Sequence, residues 1–122
     1  MPRSEKKNGS KSYVPKRGDF IWLDFDPRVG REQSRHRPAL VVSPESYNKV
    51  TGLALVCPIT SKIKKFPFEV EIPAGLKPTG AVHSDHLKSV DWTVRRAEFI
   101  DTAPASVLEE VLAKLSALIF DS

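Results

Sequence analysis

The chain has a single cysteine, Cys57, among 122 residues, so an internal disulfide is excluded. No apolar run approaches the roughly 20 residues that span a bilayer. No apolar segment near Met1 has the form of a secretory signal. These absences lead us to expect a cytoplasmic protein that folds around its own core, away from membranes. Glycine-rich phosphate loops, dinucleotide fingerprints and the nucleophile elbow of hydrolases are also missing. The one dense His/Asp group is His83-Ser84-Asp85-His86. On a strand His83 and Asp85 would share one face and His86 the other, so neither a metal nor another cofactor is expected there. Internal repeats and low-complexity stretches are absent as well.

What is present is an ordinary globular composition, 40% apolar and 28% charged, with a net charge of +4. The length suits one domain. The basic balance, with a pI near 9.3, suits a nucleic-acid partner. Much of the excess lies near the start, in Arg3, Lys6, Lys7, Lys11, Lys16 and Arg17 against Glu5. Residues 1–16 read as a basic tail without apolar periodicity, either disordered or an arm that helps hold RNA. Residues 17–122 read as the folded domain.

Ile21, Leu23 and Phe25 alternate with Phe20, Trp22, Asp24 and Asp26, the period of a strand beginning after Gly18. Pro27-Arg28-Val29-Gly30 breaks it. Pro38 to Val42 is continuously apolar, which predicts a strand buried on both faces. Ser43 and Pro44 suit the start of a short helix that Thr51-Gly52 ends. Further strands are expected over Leu53 to Thr60, Phe68 to Ile72, Ala81–His83, His86–Val90 and Ala97–Ile100. In the second of these, Glu69 and Glu71 alternate outward. Thr102 and Pro104 precede a helix whose Val107, Leu108, Val111, Leu112, Leu115, Leu118 and Ile119 form one apolar stripe. Glu110 and Lys114 suit an i, i+4 ion pair on it. The order predicts a mainly β (α+β) fold, a small antiparallel barrel with a C-terminal amphipathic helix.

Strand length gives the first functional expectation. Arg37 to Ser43 and Ala54 to Thr60 are equally long, so antiparallel pairing would set Arg37 and Thr60 at one end of the sheet. Arg31, Glu32, Arg35, His36, Arg37, Thr60, Ser61 and Lys62 would then converge on one rim. Guanidinium forks match phosphate oxygens, and a hydroxyl can donate to a non-bridging oxygen, so the rim suits a phosphodiester. Each member also has an ordinary reading. Arg37 could pair with Glu32 or a β-strand aspartate, and Thr60 could serve a turn. His36 could be a packed loop histidine, and Glu32 could neutralise its arginine neighbours. Cys57, inside an apolar strand, reads as a buried inert thiol. Trp22 and Trp92 suit a core or interface, or one of them could stack a base.

The motifs occur in a recognisable order: Gly18-Asp19-Phe20-Ile21-Trp22-Leu23-Asp24-Phe25-Asp26-Pro27, Gly30-Arg31-Glu32-Gln33, His36-Arg37-Pro38-Ala39, Ser43-Pro44, Tyr47-Asn48, Thr51-Gly52, Pro58-Ile59-Thr60-Ser61 and Phe66-Pro67-Phe68-Glu69-Val70. Gly80-Ala81-Val82 and Asp85-His86-Leu87-Lys88-Ser89 continue the series. This pattern, from about Tyr13 to Phe120, resembles the MazF/PemK family of toxin–antitoxin endoribonucleases. The resemblance implies an SH3-like barrel, a homodimer, and metal-free cutting of single-stranded RNA, mostly mRNA, at short sequences. It also implies a cognate antitoxin of the MazE kind that blocks the cleft with a flexible acidic segment. The family's catalytic arginine and threonine fall on Arg37 and Thr60, and its loop glutamate and histidine on Glu32 and His36. Its aspartate before the Lys-Ser pair falls on Asp85. The next residue, often glutamine in relatives, is His86 here. Arg31, Arg35, Ser61, Lys62, Asp85 and His86 are thereby expected to bind RNA. Two rival readings are a CcdB-like gyrase poison and a non-catalytic SH3-like binding module. The CcdB type carries a tryptophan at its extreme C-terminus, whereas this chain ends Leu118-Ile119-Phe120-Asp121-Ser122.

Overall fold

The computed structural model describes residues 13–24 and 36–121. The expectations for residues 1–12, and for Phe25, Asp26, the break after them, Arg31, Glu32 and Arg35, lie outside the described residues. Within them, strands β1 (Asp19–Asp24) and β2 (His36–Val41) lead to helix α1 (Glu45–Thr51). Strands β3 (Leu53–Thr60), β4 (Glu69–Glu71), β5 (Ala81–His83), β6 (Lys88–Asp91) and β7 (Glu98–Thr102) follow, and helix α2 (Ala105–Phe120) comes last.

All described pairings are antiparallel, and the order β4-β5-β3-β2-β1-β7 forms a curled, barrel-like sheet that does not close. β3 is the shared strand. One of its edges bonds β2; the other bonds β6 over Leu53 to Val56, then β5 at Ile59 and Thr60.

Alternation along β2 and β3 separates two apolar clusters on opposite faces. Leu40, Val42, Cys57 and Ile59 join Phe20, Val70 and Val82 beneath Val107, Val111 and Leu115 of α2. Ala39, Val41, Ala54 and Val56 join Ile21, Leu23 and Val90 on the other side. The continuous apolar run of β2 is thus explained, since it feeds both clusters. Each large side chain fully buried in this way contributes about 1.5–3 kcal/mol.

In α2, Val107, Val111 and Leu115 are buried at helical spacing, but Leu118 and Ile119 are exposed because the last turn runs past the core cluster. Lys114 pairs with Glu110 at 3.7 Å and also donates to the Pro67 carbonyl at 2.8 Å. Neither helix has its expected cap. Thr102 belongs to β7, and Pro104 and Pro44 occupy the cap positions without side-chain bonds. Ser43 instead donates to Asn48 Oδ1 at 2.6 Å and accepts the Leu55 N–H at 2.8 Å. Asn48, fully buried, donates to the carbonyls of Pro15 and Ser43 and receives the Trp92 indole N–H on its own carbonyl. Trp92 is therefore a structural residue. Gly52 ends α1 at φ 75°, as its position predicts.

Tyr13 to Lys16, assigned from sequence to the tail, pack onto the domain. Pro15 is buried, Tyr13 donates to Asp19 Oδ2 at 2.6 Å, and the Lys16 N–H donates to the same oxygen at 3.1 Å. Burial pushes the Asp19 carboxyl above the usual aspartate range, against the lowering effect of these two bonds.

Candidate active site

The ladder between β2 and β3 pairs Ala39 with Pro58, Leu40 with Cys57 and Val41 with Val56. The ladder ends at Ala39 and Pro58; continued by two residues, the same register would set Arg37 opposite Thr60. Facing residues of an antiparallel pair share a face, here the face away from α2. A groove of about 200 Å³ opens there, with Leu23, Ala39, Val56, Pro58 and Val90 among its apolar lining. Arg37, Lys88 and Arg95 bring positive charge to it. Arg37 is exposed at this groove, and Thr60 is half-buried.

Thr60 serves the turn. Its Oγ1 accepts the Lys62 N–H at 3.1 Å, which starts the turn, and its own O–H remains available as a donor. Ser61 and Lys62 are exposed at the start of the loop that follows. That loop is held by a residue that alternation had placed outward. Glu69 is buried, and its carboxylate accepts the N–H groups of Lys64 and Lys65 at 3.0 and 2.9 Å and faces His83 Nε2 at 3.2 Å. Burial alone would raise the Glu69 carboxyl, but the two backbone donors and His83 hold it below the usual carboxylate range.

His36 does not converge with Arg37. Neighbours on a strand point to opposite faces, and the His36 ring stacks on Trp22 at 5.0 Å. Its Nδ1 lies 3.3 Å from Asp24 Oδ1 and its Nε2 3.7 Å from Glu98 Oε1. Trp22 is thus committed to a histidine stack.

Asp85 and His86 lie on a 3-10 turn, Ser84–His86, where a strand start was expected, and neither lines the groove. The turn removes the strand argument that kept His83 and His86 apart. Their rings meet edge-on at 4.8 Å. Among the described residues no group of three or more His, Cys, Asp or Glu side chains could hold a metal.

Lys88 and Arg95 were missed as site residues. Lys88 is carried to the groove by the β3–β6 register, opposite Val56. Arg95 is returned there by a turn in which Asp91 Oδ1 accepts the N–H groups of Thr93 and Val94; Arg95 then donates to the Asp24 carbonyl at 3.1 Å. The signal in the sequence was Asp91-Trp92-Thr93, an Asx-turn pattern.

Cys57 is fully buried, and burial, then the negative charge of Asp85, pushes its thiol up to about 12. Iodoacetamide at pH 8 should therefore label native protein roughly a thousandfold more slowly than unfolded protein, since so little thiolate is present. Rapid labelling of folded protein, followed by mass, would refute this.

A family model described as "PemK-like, MazF-like toxin of type II toxin-antitoxin system" matches residues 16–119. The Escherichia coli (strain K12) protein named endoribonuclease toxin MazF is 44% identical over 107 residues, 88% of this chain and 96% of that protein. Endoribonuclease PemK of Escherichia coli is 33% identical over 107 residues, 84% of this chain and 80% of that protein. The crystal structure of MazE-MazF (Form-II) from Deinococcus radiodurans superposes with a TM-score of 0.81 at 49% identity, covering 91% of this chain and 100% of that one. With the fold and these matches together, the chain belongs to the PemK-like, MazF-like toxin family of type II toxin–antitoxin systems.

Proposed function

We propose that this chain is the toxin of a type II pair and cuts single-stranded RNA, chiefly mRNA, at a short sequence without a metal. Translation and growth stop as a result. The observation that carries the reading is the cationic groove at Arg37, beside a β2–β3 register that, continued, would bring Thr60 opposite it.

In this mechanism the RNA itself supplies the nucleophile. The 2′-OH attacks the adjacent phosphorus and loses its proton to a base. The P–O2′ bond forms, the P–O5′ bond breaks, and the leaving 5′-oxygen takes up a proton. The products are a 2′,3′-cyclic phosphate and a 5′-OH end. Charge grows on the non-bridging oxygens, and the Arg37 fork and the Thr60 O–H answer it. Arginine, with a pKa above about 12, is a poor base and acts as charge and as proton donor. Of the two candidate bases, His36 is turned to Asp24 and Glu98 on the other face, which favours Glu32. Ser61 and Lys62 line up the strand downstream of Thr60; Arg31, Arg35, Asp85 and His86 complete RNA recognition. The partners of this reading are a second copy of the chain and a MazE-like antitoxin whose acidic segment suits a protein of net charge +4. The cytoplasm is where mRNA would be met.

The test is end-mapping. Purified protein and single-stranded RNA in EDTA should yield discrete fragments whose 5′ ends accept phosphate from a kinase without prior dephosphorylation. Cutting that needs magnesium, or no cutting in either buffer, would overturn the reading.

A further inference from the structure

The mechanism above leaves two buried carboxyl groups unused, Asp19 beneath Tyr13 and Glu69 beside the loop after Thr60. Glu69 stands on β4 with its side chain 3% exposed, away from the groove. A carboxylate is costly to bury, and an apolar residue would fill a strand position more cheaply. Its three donors come from outside β4: two successive backbone N–H groups, Lys64 and Lys65, and the imidazole of His83. Lys65 adopts φ 61°, a left-handed conformation that a lysine rarely takes. Two successive N–H groups aimed at one anion form a concave nest, with the carboxylate of Glu69 as its built-in anion.

Little else holds the loop before its end, where Lys114 Nζ donates to the Pro67 carbonyl at 2.8 Å and the Glu69 N–H to that of Phe66 at 3.0 Å. Ser61 to Pro67 are all exposed, including Ile63 and Phe66. Lys65 extends its ammonium to Glu71 at 2.6 Å, outside the nest. The loop is therefore pinned at two places: at its start by the Thr60 turn, and at its far end by Glu69. Between these pins lie Ser61 and Lys62.

We infer that Glu69 is a positioning residue for RNA binding, its buried carboxylate fixing the Ser61–Lys65 loop through the main chain so that Ser61 and Lys62 meet the RNA in one geometry. The inference rests on the reading of the Arg37/Thr60 rim as an RNA-cutting site. It separates binding from chemistry. Thr60 is held independently of the loop, by pairing with Ala81 on β5. Loosening the far pin should weaken the grip on RNA and leave the reacting phosphate's surroundings in place.

The experiment compares full-length wild type, Glu69→Ala and Glu69→Gln on an RNA oligonucleotide carrying one mapped cleavage site. Glu69→Ala should raise KM about tenfold, with kcat changed by less than about threefold, the size expected when a charged contact loses its alignment. Glu69→Gln keeps an oxygen for the two N–H groups and should recover most of the loss. A Glu69→Ala protein with wild-type KM, or one that loses only kcat, would overturn the inference. A second measurement covers the case in which Glu69→Ala fails to fold. In wild-type protein the Lys64 and Lys65 amides should exchange with solvent at least about tenfold more slowly than that of Ile63; free-peptide rates would overturn the clamp. Wild-type protein that cuts no RNA would overturn the parent reading, while slow exchange at Lys64 and Lys65 would still support the clamp.

Discussion

Arg37→Ala should lower RNA cleavage by about a thousandfold while leaving the melting temperature nearly unchanged, because removal of one charge-stabilising donor typically costs 10²- to 10³-fold in rate. The two halves of this expectation have separate causes. Arg37 is exposed on β2, its neighbours Ala39 to Val41 carry the packing, and truncating it creates no cavity. The rate loss arises because the phosphate gains charge in a shallow groove whose walls are apolar, where a fixed guanidinium counts for more than a mobile ion. Arg37→Lys should also be harmful, by roughly ten- to a hundredfold, since an ammonium keeps the charge and loses the planar fork. Single-turnover cleavage with a melting curve on the same sample checks both halves. Near-normal cutting by Arg37→Ala would remove Arg37 from the mechanism.

Gly80→Ala should be nearly as damaging by a different route. Gly80 sits at φ 117°, where L side chains are strained, and an added methyl carbon would lie 1.9 Å from the Thr60 carbonyl oxygen, 2.8 Å from its carbon and 3.1 Å from Ser61 Cα. All three atoms are main chain, so no side-chain rotation relieves the clash. Gly80 is also tied on its other side, its carbonyl accepting the Ile72 N–H at 2.8 Å. The Thr60–Ser61 peptide has to move. A displacement near 1 Å at a reacting group is enough for about a hundredfold loss in kcat. Forcing a β-carbon into a glycine-only conformation against backbone should add about 2–4 kcal/mol of destabilisation. Denaturant unfolding and kcat on the mapped RNA measure the two effects. A Gly80→Ala protein with wild-type stability and kcat would show that the Thr60 segment is not held as tightly as its packing indicates.

The residues that sequence periodicity placed well are those governed by one ladder or one stripe. Equal strand lengths sufficed to predict the antiparallel pairing of β2 with β3, whose register runs without a bulge from Val41/Val56 to Ala39/Pro58. The spacing of Val107, Val111 and Leu115 sufficed for α2. What escaped depends on chain that folds back from a distance. Glu69 was assigned to solvent because strand alternation distinguishes two faces and cannot say that the Ser61–Lys65 loop will cover the outer one. His36 was grouped with Arg37 because the two are adjacent in sequence, yet adjacency on β2 sends them to opposite faces. Ser43 has the composition of a helix cap, but its hydroxyl reaches the buried Asn48 amide, a partner that exists only once Pro15 and Leu55 are in place.

The two-sided character of β2 and β3 has a consequence for how such a protein diversifies. Leu40, Val42 and Cys57 are read by the helix side, whereas Arg37, Ala39 and Pro58 are read by the groove. The two sets alternate along the same short stretches of chain. Every second position answers to foldability, and the positions between them answer to the target. Substitutions that retune the target can accumulate at the intervening positions and in the loops they enter without disturbing the helix-side set. One ancestral scaffold can thereby give rise to lineages that differ in what they cut while remaining recognisable, position by position, in how they fold.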